Sequence, residues 1–148
     1  MPLKNTENGA ALSTKTVPLP QFGDSERGML GVATSGVEIP FSVTRAFYLY
    51  NMPLDAVRGE HAHCDTHQFI ICLAGAIDAT LWDINGERST TLASPAMGLY
   101  VPPMTWLGLV NRATGTVCLV LASKPYDDAD YIRDRDEFSQ LIAADIDG

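Results

Sequence analysis

The chain predicts an all-β domain, a sandwich or small barrel, carrying one short C-terminal helix. Two observations point there. Between residues 21 and 121, short segments rich in β-branched and aromatic residues are cut at close intervals by Gly and Pro, the texture of a many-stranded sheet protein. Helical spacing is confined to 128–144, where Tyr131, Phe138, Leu141 and Ile142 share a stripe and Asp134, Arg135, Asp136 and Glu137 are left for water.

Along the chain, the first twenty residues are polar, small and marked by Pro18 and Pro20, with neither strand nor helical period. They are expected as a flexible arm (1–20), and residues 21–148 as a single domain. Strands are expected at 28–34, 41–50, 59–63, 68–74, 76–83, 88–92, 97–101, 105–110 and 116–123. Ser35-Gly36, Asn51-Met52-Pro53, Asn85-Gly86 and Thr114-Gly115 separate them. Asn85-Gly86 is the strongest turn signal, because both residues tolerate the positive φ of a type I′ hairpin.

The 148 residues suffice for one buried core. Ten Lys and Arg against 18 Asp and Glu leave a net charge of −8 with no basic cluster, which argues against a general nucleic-acid surface. A nucleotide-linked small molecule needs only two or three placed cations and stays open. Cys64, Cys72 and Cys118 are odd in number and form no CxxC pair, so free thiols in a cytoplasmic setting are expected. No apolar run approaches the roughly 18 residues of a membrane span, and the first residues lack the apolar segment of a secretion signal.

The chemistry concentrates in one stretch. All three histidines fall within His61-Ala62-His63-Cys64-Asp65-Thr66-His67, directly after Arg58-Gly59-Glu60. On a strand, alternate side chains share a face, so His61 and His63 project together while Ala62 points away. At the mouth of a small barrel such a pair faces a ligand.

The spacing of His61, His63, Gln68 and Gly75 resembles the first motif of the cupin superfamily, and the segment 95–103 resembles the second. Two features set this chain apart from metal-binding cupins. Gln68 stands at the carboxylate position, and Leu107 follows Trp106 where a histidine is often found, with no histidine beyond His67. Gln is a weak ligand for Zn²⁺ or Fe²⁺, and His67 is out of register with the pair. No metal or other cofactor is expected. A histidine pair without metal suits proton transfer instead, since imidazole accepts and returns a proton near neutral pH.

A wider set of residues resembles one cupin family, the nucleotide-sugar 3,4-ketoisomerases acting on dTDP-4-keto-6-deoxy-D-glucose. The set is Arg27-Gly28, Ile39-Pro40-Phe41 leading to Arg45, Arg58-Gly59-x-His61-Ala62-His63-x4-Gln68, Gly98-Leu99-Tyr100-Val101-Pro102-Pro103 with Trp106, and Tyr126-Asp127-Asp128-x-Asp130-Tyr131-Ile132-Arg133. The resemblance implies a cupin (jelly-roll) barrel and a homodimer exchanging N-terminal strands. It also implies metal-free migration of a ketone from C4 to C3, in the making of deoxyamino sugars. His61 is then the leading base and His63 its partner. Arg45 and Arg58 are candidates for the oxyanion or the diphosphate. Arg27 is a candidate for the nucleotide across the dimer, and Gln68, Tyr100 and Trp106 for sugar or base contacts. Phe47 stands where the family commonly has tyrosine on the ligand side of its strand. Tyr126, Asp130, Tyr131 and Arg133 are expected to be structural. A non-catalytic sugar-nucleotide-binding cupin, a metal-dependent cupin and a 3,5-epimerase are the competing readings.

Overall fold

Two five-stranded antiparallel sheets enclose the main core. The computed structural model describes residues 13–147. The first sheet orders β1 (Lys15–Pro18), β9 (Met97–Val101), β6 (Gln68–Ala74), β11 (Val117–Ala122) and β4 (Arg45–Leu49). The second orders β12 (Tyr131–Ile132), β5 (Val57–His63), β10 (Trp106–Asn111), β7 (Ile77–Asp83) and β8 (Gly86–Leu92). A separate hairpin pairs β2 (Gln21–Asp24) with β3 (Gly28–Gly31). The fold is the expected cupin-like β architecture with one C-terminal helix, α1 (Arg135–Asp147).

Strand alternation sorts the side chains into three clusters. Ile70, Cys72, Leu99, Val101 and Val120 of the first sheet meet Ile77, Ala79, Leu81, Leu107 and Leu109 of the second. On the outer face of the first sheet, Phe69, Ile71 and Tyr100 are covered by Leu19, Ile39 and Phe41. On the outer face of the second, Ala62, Trp106 and Ile132 are covered by Phe138 and Ile142 of α1. Neighbouring residues of one strand thus serve opposite sides: Trp106 faces the helix and Leu107 the interior.

Several expectations are corrected. Residues 15–18 are not part of a loose arm: β1 pairs in register with β9, from Lys15 opposite Tyr100 to Pro18 opposite Met97. Residues 21–24 pair as well, while residues 1–12 lie outside the described residues. The turn between β7 and β8 is Ile84-Asn85, because Asp83 pairs with Gly86. Asp83 accepts from the Asn85 N–H at 2.8 Å, and only Gly86 takes positive φ, +107°. The helix also starts later than its apolar spacing implies. Asp127 caps a 3₁₀ turn at Asp128–Asp130, the chain then extends as β12 against β5, and Asp134 accepts from the N–H groups of Asp136 and Glu137 to open α1.

Candidate active site

A cavity opens between the sheets, lined by Phe47 and Leu49 of β4, Arg58, Gly59 and His61 of β5, Gln68 of β6, Leu107 and Leu109 of β10, and Val120 of β11. A β-bulge sets its β5 wall. His61 pairs with Leu107 and Gly59 with Gly108, leaving Glu60 as the extra residue. Gly59 and Glu60 both take positive φ, +80° and +61°. The displaced Glu60 carboxylate accepts from Trp106 Nε1 at 3.4 Å. Beyond the bulge the alternation restarts in the opposite phase, and Arg58 returns to the wall that carries His61.

His61 and His63 stand edge to face, ring centroids 5.1 Å apart. Each ring is anchored through Nδ1. That of His61 lies 3.1 Å from the Gly59 carbonyl, which can only accept, so the ring donates there. That of His63 lies 2.8 Å from Asp130 Oδ2. The Nε2 of His63 is buried and has no partner among the described residues. Both imidazoles thus turn Nδ1 toward an oxygen acceptor.

Asp130 is itself 8% exposed. Its Oδ1 accepts from the Asp65 N–H at 2.7 Å, and its Oδ2 also takes the hydroxyl of Thr66. Burial alone raises its pKa, but hydrogen bonds from Thr66, Asp65 and His63 outweigh that and leave it below the usual carboxylate value. Tyr131, opposite His63 in the β12–β5 pairing, covers both imidazoles with centroids 4.8 and 4.3 Å away. Arg133 lies over the Tyr131 ring at 4.4 Å, and Arg45 lies 5.2 Å over Phe47 with its Nε buried and without a partner among the described residues.

The histidines are kept neutral. Burial first, then the neighbouring His63, holds the pKa of His61 down to about 4, against a smaller opposing effect of the Gly59 carbonyl. Burial also lowers His63, with Asp130 pushing back and Arg45 and Arg133 adding to the fall. Among the described residues, no three His, Cys, Asp or Glu side chains converge as a metal-holding group.

The family model described as FdtA, WxcM-like, C-terminal, matches residues 13–143. The chain is 38% identical over 132 residues to a TDP-4-oxo-6-deoxy-alpha-D-glucose-3,4-oxoisomerase of Aneurinibacillus thermoaerophilus, covering 89% of this chain and 94% of that one. It superposes on the sugar 3,4-ketoisomerase QdtA of Thermoanaerobacterium thermosaccharolyticum, solved with TDP, at a TM-score of 0.84 and 32% identity over 89% and 96% of the two chains. For the TDP-quinovose 3,4-ketoisomerase WlaRB of Campylobacter jejuni the values are 0.80 and 34%, over 86% and 97%. The chain belongs to the FdtA family.

Within this FdtA-family chain, the cavity gathers Phe47, Arg58, His61 and Gln68 of the predicted site residues, with His63 behind His61 and Arg45 stacked on Phe47. Gln68 is 3% exposed. Three others lie elsewhere. Trp106 packs on Phe138 at the outer face of the second sheet, at 5.7 Å. Tyr100 packs on the outer face of the first, its hydroxyl 2.7 Å from Nδ1 of His67. The strand period explains both, since each is adjacent in sequence to an interior residue, Leu107 or Val101. Arg27 sits in the β2–β3 turn, its N–H donating to Asp24 at 2.8 Å, away from the cavity of its own chain. Conversely, Asp130 and Tyr131 touch the histidines although sequence reasoning treats them as structural. The signal that could have found them is the Tyr126-Asp127 to Ile132-Arg133 segment, one of those that carry the resemblance.

Proposed function

We propose that this chain is a nucleotide-sugar 3,4-ketoisomerase. It moves the ketone of a TDP-linked 4-keto-6-deoxyhexose from C4 to C3 by histidine-mediated proton transfer through an enediol, with no metal or redox cofactor, in the making of deoxyamino sugars. The observation that carries this is the His61–His63 pair, each ring with Nδ1 engaged, beside Arg58 and Gln68 at the cavity.

The C3 hydrogen of a 4-ketosugar lies α to the carbonyl. A free imidazole Nε2 takes that proton, the C3–H electron pair becomes the C3=C4 bond, and the carbonyl pair moves onto O4. Arg58 and the Gln68 amide face the charge that develops. Loss of the O3 proton restores a carbonyl at C3, and the returned proton forms the new C4–H bond. Composition is unchanged and no electrons leave the substrate. His61 faces the cavity as the expected leading base. His63, whose imidazolium would be met by the Asp130 carboxylate, is the better proton holder. Phe47 offers no hydroxyl, so O4 is protonated by an imidazolium or by water.

The functional unit in this reading is a homodimer built through the β2–β3 hairpin, whose Phe22, Met29 and Leu30 are exposed. Arg27 then serves the nucleotide of the partner subunit. A nucleotide-sugar substrate and three free cysteines suit a cytoplasmic setting.

The test is incubation of chelator-treated protein with dTDP-4-keto-6-deoxyglucose in D₂O, followed by NMR, alongside His61→Asn and His63→Asn. Appearance of a 3-keto sugar deuterated at C4, lost in at least one variant, supports the reading. Binding with every proton left in place overturns it in favour of a non-catalytic binder. Deuterium at C3 or C5 without ketone migration points to an epimerase, and activity that needs added metal defeats the metal-free step.

A further inference from the structure

We propose that Asp130 is the positioning residue of this site: its buried carboxylate fixes His63 as the Nδ1–H tautomer and stabilises the imidazolium formed when Nε2 takes a proton. The inference rests on the isomerase reading for its catalytic half and on geometry alone for its tautomeric half.

The geometry leaves one consistent assignment. Asp130 Oδ1 is committed to the Asp65 N–H at 2.7 Å. Oδ2 receives the Thr66 hydroxyl and lies 2.8 Å from His63 Nδ1. A carboxylate engaged by this many donors is an acceptor only, so the atom of His63 that faces it carries a hydrogen. The lone pair is then on Nε2, which is buried and has no partner among the described residues. The Asp130 main chain holds the same loop, its carbonyl accepting from the Cys64 N–H at 2.8 Å. The carboxylate is thus locked to the segment that bears the histidines and cannot turn away from the ring.

A purely structural role makes a different prediction. Asparagine at 130 can still accept from the Asp65 N–H through its amide oxygen, which keeps the loop closed. Its NH₂ group, however, then faces His63 Nδ1 and donates to it. That reverses the tautomer, puts the hydrogen on Nε2 and removes the proton-accepting lone pair of His63, the partner of His61, while leaving the fold in place. The same logic makes the orienting carboxylate of a Ser-His-Asp triad indispensable although it touches no substrate.

The experiment uses the full chain labelled with ¹⁵N-histidine. In the wild type at neutral pH, the His63 Nδ1 resonance is expected in the protonated range and Nε2 in the unprotonated range. In Asp130→Asn the two exchange, and kcat falls by on the order of 10²–10⁴-fold with KM changed less than about threefold. Thr66→Val removes the second donor to Oδ2 but leaves the carboxylate, so it keeps the wild-type tautomer and loses less than about fivefold in kcat. Asp130→Asn with wild-type kcat overturns the positioning role. If that variant does not fold, the wild-type spectrum still decides: hydrogen on Nε2 overturns the assignment. An inactive wild type with the Nδ1–H pattern instead overturns the isomerase reading while the tautomer assignment stands.

Discussion

Arg58 and His61 line one cavity although they lie three positions apart on β5, an odd offset that a regular strand sends to opposite faces. The bulge at Glu60 reconciles the two. It needs positive φ at both Gly59 and Glu60, and a Cβ at Gly59 would come within 2.8 Å of the Leu107 carbonyl oxygen. Gly59→Ala is therefore expected to cost about 1–3 kcal/mol of stability and to lose more activity than stability, because relaxing the bulge moves Arg58 off the wall. Urea unfolding together with the NMR isomerase assay checks both. Unchanged stability would show that the bulge carries no strain.

The acid limb of activity follows from the protonation state of the pair. Burial and the neighbouring His63 keep His61 neutral down to about 4, and burial lowers His63 as well, so the base form persists below the ordinary imidazole range. The kcat/KM profile, which reports the free enzyme, is expected to stay flat through pH 6.5 and fall only at lower pH. Arg133 lowers the pKa of both histidines. Removing its charge in Arg133→Gln raises them, and the limb moves to higher pH. The ion pair lost with it, to Asp128, is a solvent-exposed surface contact of little weight for stability, so the fold survives the test. A limb that moves to lower pH contradicts the electrostatic account.

Legibility in the sequence tracked how local the cause was. Most strands of the two sheets follow alternation and turn residues, and β6 and β9 begin and end where the pattern does. β1 is not legible, because Lys15, Thr16, Val17 and Pro18 carry no period of their own and are strand only by pairing with β9. Apolar spacing puts Tyr131 on the helix, but the Asp127 cap and the pairing to His63 make it strand. The His61–His63 pair was visible because strand period and spacing are local. The partner of His63 lies 67 residues away, and no local pattern joins them. Trp106 and Tyr100 are candidates as large rings suited to stacking, and one step of strand alternation decides which face each takes.

That last point predicts a contrast between variants. Trp106→Phe and Tyr100→Phe remove, respectively, the contact to Glu60 and the hydroxyl beside His67. Each is expected to cost about 0.5–2 kcal/mol while KM stays within about twofold. Arg58→Ala removes a cavity-lining guanidinium, and the loss of a charge-assisted contact worth about 1.5–3 kcal/mol lowers kcat/KM by roughly 10- to 100-fold. Melting curves and steady-state kinetics on the three proteins separate the roles. A tenfold KM rise in Trp106→Phe would return that ring to the substrate site.

The hairpin provides the final test. Phe22 and Leu30 face each other across β2 and β3, both more than half exposed at 60% and 64%, in a two-stranded sheet that joins neither of the larger ones. An isolated two-stranded hairpin is at best marginally stable in water, and an apolar patch of this kind marks a contact surface. In the dimer reading the surface that covers this patch is the partner subunit. Wild-type protein is expected to run as a dimer in size exclusion with light scattering. Leu30→Asp places a charge in that contact and shifts the protein toward monomer at micromolar concentration. Arg27→Ala, in the adjacent turn, keeps the dimer but raises KM for the nucleotide sugar. A Leu30→Asp protein that remains dimeric assigns the interface to another surface and leaves Arg27 without a site to serve.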